Sequence, residues 1–267
     1  MSPPPEASDA PDNELVREQR GAVLIARLNR PDARNALTPE LIRAIGAAIV
    51  DAEASPDIRA VVVTGTGDRA FCAGMDLRAF ASGADMALGD DDATRGFFRL
   101  IEGRANVPLV GAANGTAVAG GFELLLGCDV IVASERAEFG LPEVKRGLFP
   151  AGGGTFLGTR VPLGIALEVT LTGDSFSAER AYQLGLVNAV VPPNEVLDTA
   201  VAFAERIAAN GPLAVAAVKE LVRLGVSDAA RAWERMRELQ PVVFGSEDAT
   251  EGAVAFIEKR APIWRSR

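Results

Sequence analysis

Between Val16 and Gly65 the apolar segments change period from strand to helix and back, and this alternation restricts the fold more than any other feature. Val16 to Leu28 contains Gly21-Ala22-Val23-Leu24-Ile25-Ala26 and reads as a hairpin whose second strand ends at Asn29-Arg30-Pro31. Thr38-Pro39-Glu40 then supplies an N-cap, a first-turn proline and an early acid, opening a helix that runs to about Ala54. Its apolar face is Leu41, Ile42, Ile45, Ile49 and Val50, and the buried strand that follows carries Ala60, Val61, Val62 and Val63. Strand, helix, strand in this order is expected to pair in parallel, which places the chain in the α/β class.

The stretch from Gly111 to Glu143 carries the chemistry. Leu109 to Ala113 is apolar and short enough for a buried strand, with Pro108 tolerated before it and Asn114-Gly115 ending it. From Gly120, Phe122 to Gly127 reads as a tightly packed helix whose N-terminus Gly120-Gly121 leaves open. Unpaired N–H groups and the positive end of the helix dipole favour an oxyanion there, and glycine lets it approach without meeting a Cβ. A glycine pair taken alone is better explained by close packing of helix on strand, and a single early glutamate by the dipole. Here, however, Glu123 is followed, after the apolar run from Cys128 to Ala133, by a second carboxylate, Glu143. Two carboxylates and a bare turn are a kit for moving protons beside a developing negative charge.

Several chemistries are excluded. The 267 residues contain no histidine, which removes His-based triads and the common zinc sites, and the two cysteines, Cys72 and Cys128, form no metal pattern. They read as small buried residues in a reducing cytoplasm. Gly152-Gly153-Gly154 is not followed by Lys-Ser or Lys-Thr, so it is no P-loop, and Asp90-Asp91-Asp92 lacks calcium-loop spacing. A net charge of −9 with scattered Lys and Arg argues against nucleic acid and anionic membranes as partners. No apolar run reaches the roughly 20 residues that span a bilayer. Hydrophobic residues make up 48%, which points to subunit association.

Elsewhere the chain is organised simply. Residues 1–13 read as a disordered tail. Ala70 to Leu77 is a loop or short strand with a turn at Gly74, Arg95 to Glu102 is amphipathic, Leu167 to Gly185 is mostly helical, and Leu186 to Val191 is a closing strand. Helices are expected over Leu197–Ala209, Pro212–Leu224, Ser227 to about Leu239, and Glu247–Lys259, with a subdomain boundary near Pro193 to Gly211.

Taken together the motifs resemble the enoyl-CoA hydratase/isomerase (crotonase) family from about Val16 to Arg260. The resemblance rests on Asn29-Arg30-Pro31 with Asn35-Ala36-Leu37, Ala70-Phe71-Cys72-Ala73-Gly74-Met75-Asp76-Leu77, Asn114-Gly115 through Gly120-Gly121-Phe122-Glu123-Leu124, Phe139-Gly140-Leu141-Pro142-Glu143, and Glu251-Gly252 through Phe256-Ile257-Glu258-Lys259-Arg260. It implies a spiral of repeated ββα units over 14–200 and a helical oligomerisation region over 201–267, assembled as a homotrimer or dimer of trimers. It implies an acyl-CoA thioester substrate whose carbonyl oxygen is held by the backbone N–H groups of Met75 and Gly120, with coenzyme A part of the substrate and no separate cofactor. CoA would lie along Ala73, Asp76, Leu77 and Arg78, with Phe256 and Lys259 brought toward it, often from a neighbouring subunit. Surface readings of Arg78 and Lys259 weigh nearly as much as these.

The implied activity is hydration of a 2-enoyl-CoA, with Glu123 orienting and deprotonating water and Glu143 exchanging the Cα proton. Alternatives are a family isomerase or lyase, and a protein that binds acyl-CoA without turning it over. Two glutamates argue against isomerases that keep one, and the lack of histidine against the dehalogenase branch. Two positions depart from the family's hydratases: Ala119 and Ala151 stand where glycine is common, the latter beside the expected water site. Acyl-chain size is expected to be set within Phe80 to Phe98, with Met86, Leu88, Phe97 and Phe98 as candidate lining residues.

Overall fold

The computed structural model describes residues 14–76 and 88–267. The expected hairpin is β1 (Leu15–Arg20) against β2 (Val23–Leu28), paired antiparallel, and β2 runs parallel to β3 (Ala60–Gly65) across the helix α1 (Pro39–Ala54). The Thr38 hydroxyl caps α1 by accepting from the Leu41 amide at 3.0 Å. β4 (Ala70–Cys72) follows, and α2 (Asp92–Ile101) is capped by Asp91, whose carboxylate accepts from the Thr94 amide at 2.8 Å.

Two further turns repeat the pattern. β5 (Leu109–Ala113), β6 (Thr116–Val118) and α3 (Gly120–Gly127) form one; β7 (Val130–Ser134), β8 (Glu138–Gly140) and a 3-10 turn at Pro142–Arg146 begin the next. β3, β5 and β7 are adjacent and parallel in one sheet, while β4, β6 and β8 are adjacent and parallel in a second. Each passage of the chain thus adds one strand to each sheet and advances by one position, which is a spiral.

After a 3-10 turn at Gly154–Thr159 come α4 (Leu163–Thr172), β9 (Phe176–Ser177), α5 (Ala178–Gln183) and β10 (Ala189–Val191). The single helical stretch expected over Leu167 to Gly185 is therefore broken. Gly173, at φ +66°, ends α4 in the left-handed conformation, and the Ser177 side chain starts a new helix by accepting from the Arg180 amide. The closing strand is shorter than expected because Leu186 and Val187 serve the core instead of the ladder.

The C-terminal helices are α6 (Val196–Ala208), α7 (Pro212–Ser227), α8 (Ala229–Phe244) and α9 (Glu247–Glu258). α6 begins the all-helical stretch yet covers one face of the larger sheet. Its Val196, Ala200, Val201, Ala204 and Ala208 pack with Val23, Ile25, Ala60, Val62, Val110, Ala112 and Val132. The other face of β3, Val61 and Val63, joins the main core with Leu41, Ile45, Ile49 and Leu100. Both faces of the central strands are covered, which is why they read as unbroken apolar runs. Each valine so buried contributes about 1.5–3 kcal/mol. Among the described residues no single helix is long and apolar enough to cross a membrane.

Candidate active site

The spiral brings the loop after β4 against the start of α3. Leu37 and Met75 form an isolated parallel bridge in which the Leu37 amide donates to the Gly74 carbonyl at 2.8 Å and the Asp76 amide to the Leu37 carbonyl at 3.0 Å. Because successive groups of an extended chain point to opposite sides, the Met75 N–H faces away from Leu37. Gly74 adopts φ +84°, and a Cβ placed on it would lie 2.8 Å from the Ala119 methyl and 3.1 Å from the Gly120 nitrogen. A side chain there would thus be strained by the backbone and would fill the space in front of the Gly120 amide.

Gly120 is the first residue of α3, so its N–H has no acceptor within the helix. A Cβ on Gly120 would lie 3.8 Å from the Met75 nitrogen, so the two amides expected to share an oxyanion are neighbours across bare backbone. Gly121 does the other job anticipated for a glycine pair: its Cβ would overlap the Cys72 carbonyl oxygen at 2.1 Å, so it lets α3 lie on β4. Ala119 sits between these functions with φ 51° and ψ −132°, a conformation that strains any residue with a Cβ. Its carbonyl accepts from the Phe122 and Glu123 amides and its N–H donates to Gly140, so the surrounding structure holds it there.

One turn into α3, Glu123 is 6% exposed. Its Oε1 accepts from the backbone amides of Gly152 at 2.7 Å and Gly154 at 2.9 Å. Burial pushes this carboxyl above its usual range, and the two amides oppose the rise by favouring the anion. Glu143 lies in the 3-10 turn after β8 and is half-buried, with its Oε2 enclosed and without a protein partner among the described residues. Burial raises its carboxyl too; its own backbone amide opposes this, the charge of Glu123 adds to it, and Arg146 opposes it. The mutual influence places the two carboxylates within electrostatic reach of each other. One accepts from two amides of a separate loop and the other has one oxygen without a protein donor among the described residues, an arrangement that can separate a base from an acid.

The amides that hold Glu123 come from the glycine run Gly152-Gly153-Gly154, whose composition marks a tight turn. Its partner lies about thirty residues earlier in the chain, so spacing does not reveal the contact. Ala151 is exposed, and its methyl joins Phe98, Ile101, Leu126, Gly152 and Phe156 in lining a cavity of about 300 Å³. Phe98 thus borders a cavity, whereas Phe97 and Leu88 pack into the core. Both thiols are buried and pushed up to about 12, so neither is a nucleophile.

The remaining expected ligands fall in three groups. Ala73 and Asp76 flank the Gly74–Met75 segment; the Ala73 amide donates to Arg34, and the Asp76 carboxylate is paired with Arg30 at 3.2 Å. Leu77, Arg78, Phe80 and Met86 lie outside the described residues. Phe256, 86% exposed, and Lys259, at the left-handed cap of α9 with φ 55°, are at the surface of the chain.

A family model described as enoyl-CoA hydratase/isomerase matches residues 18–267. An enoyl-CoA hydratase, EchA19, of Mycobacterium tuberculosis is 41% identical, covering 95% of this chain and 97% of its own. A carnitinyl-CoA dehydratase of Proteus mirabilis is 40% identical, covering 93% of this chain and 97% of its own. Among solved structures, the enoyl-CoA hydratase EchA1 of Mycobacterium marinum superposes with a TM-score of 0.87 at 45% identity, over 95% of this chain and 99% of that one. The carnitinyl-CoA hydratase of Mycobacterium avium gives 0.74 at 41% identity, over 95% and 99%. The expected spiral of ββα units is the fold of these enzymes, and the chain belongs to the enoyl-CoA hydratase/isomerase family.

Proposed function

We propose that the chain reversibly adds water to a 2-enoyl-CoA thioester. The observation that carries this reading is the pairing of an amide-held carboxylate, Glu123, with a half-buried one, Glu143, whose Oε2 has no protein donor among the described residues, beside the adjoining Met75 and Gly120 amides. The thioester oxygen accepts from those two amides, and as water attacks Cβ, charge accumulates on that oxygen. A preorganised donor of this kind contributes about 3 kcal/mol to the transition state. Glu123, whose anion the Gly152 and Gly154 amides favour against the effect of burial, takes a proton from water while the water oxygen bonds to Cβ. Glu143, whose protonated form is favoured by burial and by the neighbouring charge, delivers its proton to Cα. Water and the alkene are consumed, and the two carboxyls return to their starting states by exchanging a proton through solvent. Nothing is oxidised or reduced, so no cofactor is needed beyond the CoA that the substrate carries.

Substrate identity lies between a simple enoyl chain and the carnitinyl chain named in the relatives. Loss of enoyl-thioester absorbance with crotonyl-CoA, and product analysis with a longer enoyl-CoA and with carnitinyl-CoA, test both. Glu123→Gln and Glu143→Gln are expected to lower kcat by about a hundredfold or more each. Near-zero rates in wild type and both variants on this panel, with CoA ester binding intact, refute catalysis in favour of a binder; an isomerised product refutes hydration.

The chain is further proposed to act as a trimer or dimer of trimers. Val218, Val222 and Val226 form an exposed stripe on α7 at 60%, 64% and 62%, and Trp233 and Phe244 on α8 are 61% and 76% exposed. In such an assembly Phe256 and Lys259 can serve a neighbour's CoA. Light scattering tests this, a monomer at micromolar concentration being the contrary result. A reducing cytoplasm suits the buried thiols of Cys72 and Cys128.

A further inference from the structure

The run Asn29-Arg30-Pro31 with Asn35-Ala36-Leu37 has no part in the chemistry above, yet its side chains converge behind the Met75 amide. Arg30 Nη1 donates to the Ala36 carbonyl at 2.6 Å, and Nη1 and Nη2 reach the Asp76 Oδ2 at 3.3 and 3.2 Å. Its Nε pairs with Glu14 Oε1 at 2.8 Å, and the other oxygen of Glu14 accepts from the Thr38 hydroxyl that caps α1. The Arg30 amide donates to Asn35 Oδ1 at 3.0 Å, and Asn35 Nδ2 donates to the carbonyls of Thr66 and Ala70 at 3.1 and 2.9 Å. Asn35 is 1% exposed and sits at φ 54°, a conformation asparagine tolerates better than most residues.

One guanidinium therefore grips the residue after Met75 and the residue before Leu37, the two places where the Leu37–Met75 bridge is attached to the rest of the chain. That bridge has only two backbone hydrogen bonds, and Gly74 beside it is conformationally free. By itself such a segment is a poor platform for a donor that must be aimed before the reaction begins. The planar fork of arginine suits this task because its donors are fixed relative to one another, unlike those of a lysine ammonium.

We propose that Arg30 is a positioning residue that, through Asp76 and the Ala36 carbonyl, holds the Met75 N–H in line with the thioester oxygen. The inference rests on the oxyanion reading above. It does not need turnover for its test, because polarisation of a bound thioester is visible without reaction. The probe is butyryl-CoA carrying carbon-13 at the thioester carbonyl, which lacks the double bond and cannot be hydrated. Its carbonyl stretch is followed by difference infrared spectroscopy on the full-length protein.

Binding to the wild type is expected to lower the stretching frequency. In Arg30→Gln about half or more of that lowering is expected to be lost while the affinity for free CoA stays within about threefold, and the nearly isosteric Asp76→Asn should lose a similar share of the lowering; Arg30→Lys should recover part of it. With an enoyl substrate, kcat is expected to fall about ten- to a hundredfold while KM changes by less than about threefold, because the aligned donor acts mainly in the transition state. A full lowering in both Arg30→Gln and Asp76→Asn, with kcat unchanged, overturns the positioning role alone. No lowering in the wild type overturns the oxyanion assignment and the positioning role with it. Asp76→Asn covers the case in which Arg30→Gln does not fold.

Discussion

Replacing Gly152 by alanine tests the cradle of Glu123 directly. A Cβ at Gly152 would lie 2.6 Å from Glu123 Oε2 and 3.0 Å from its Cδ, while the Gly152 amide is only 2.7 Å from Oε1. The methyl and the hydrogen bond compete for the same carboxylate, and the methyl cannot be compressed. The carboxylate must swing away and lose at least one of its two amide donors. A hydrogen bond to a charged acceptor contributes about 1.5–3 kcal/mol, which corresponds to roughly ten- to a hundredfold in the equilibrium between ionised and protonated Glu123. Burial already raises this carboxyl and the amides are what oppose it, so the variant raises it further. Because the ionised form is the base, the acid limb of the kcat/KM profile should move to higher pH, and the rate below that limb should fall by about the same ten- to a hundredfold factor. The assay is hydration of crotonyl-CoA from acid to neutral pH, with thermal melts to confirm folding. An acid limb that stays at the wild-type position, with the rate unchanged, would refute the claim that these amides hold Glu123 ionised.

Two further predictions concern stability. Burial and the charge of Glu123 raise the Glu143 carboxyl, so the folded protein binds that proton more tightly than the unfolded chain. The resulting stability is fully present below the unfolded pKa and is lost as pH rises through the raised one; Glu143→Gln should therefore gain in melting temperature relative to wild type as pH goes from acid to neutral, and a difference independent of pH would contradict this. Ala119→Gly removes a strain of about 1–3 kcal/mol at φ 51° and ψ −132°, against about 0.4–1 kcal/mol for the greater freedom of glycine in the unfolded chain. A net gain of roughly 1 kcal/mol is worth about 2–4 °C in a chain of this size, and a lower melting temperature in the glycine variant would show that the strain reading fails.

The elements whose cause is local could be read from the residues in order. Thr38, Pro39 and Glu40 open α1 because capping needs only neighbours three residues away, and the run Ala60 to Val63 announces a strand covered on both faces. The open amide of Gly120 is likewise a property of a helix start. Where two local signals competed, as between Leu167 and Gly185, composition favoured helix, but Gly173 and Ser177 inserted a stop and a new start. The division of labour between Gly120 and Gly121 became visible only once β4 was in place, since the two residues are chemically identical and differ only in what lies opposite.

Composition and order thus determined the α/β class, the exclusion of histidine chemistry and the candidate pair Glu123 and Glu143. The tertiary structure decided how each acid behaves. Gly152 and Gly154 reach Glu123 from a separate loop, and Glu143 Oε2 is left without a protein donor among the described residues. Arg30 meets Asp76 across a sequence separation of 46 positions. Capping and periodicity act between residues a few positions apart and are written into the chain, whereas desolvation and the aim of a donor depend on which distant segments the folded core brings to one place.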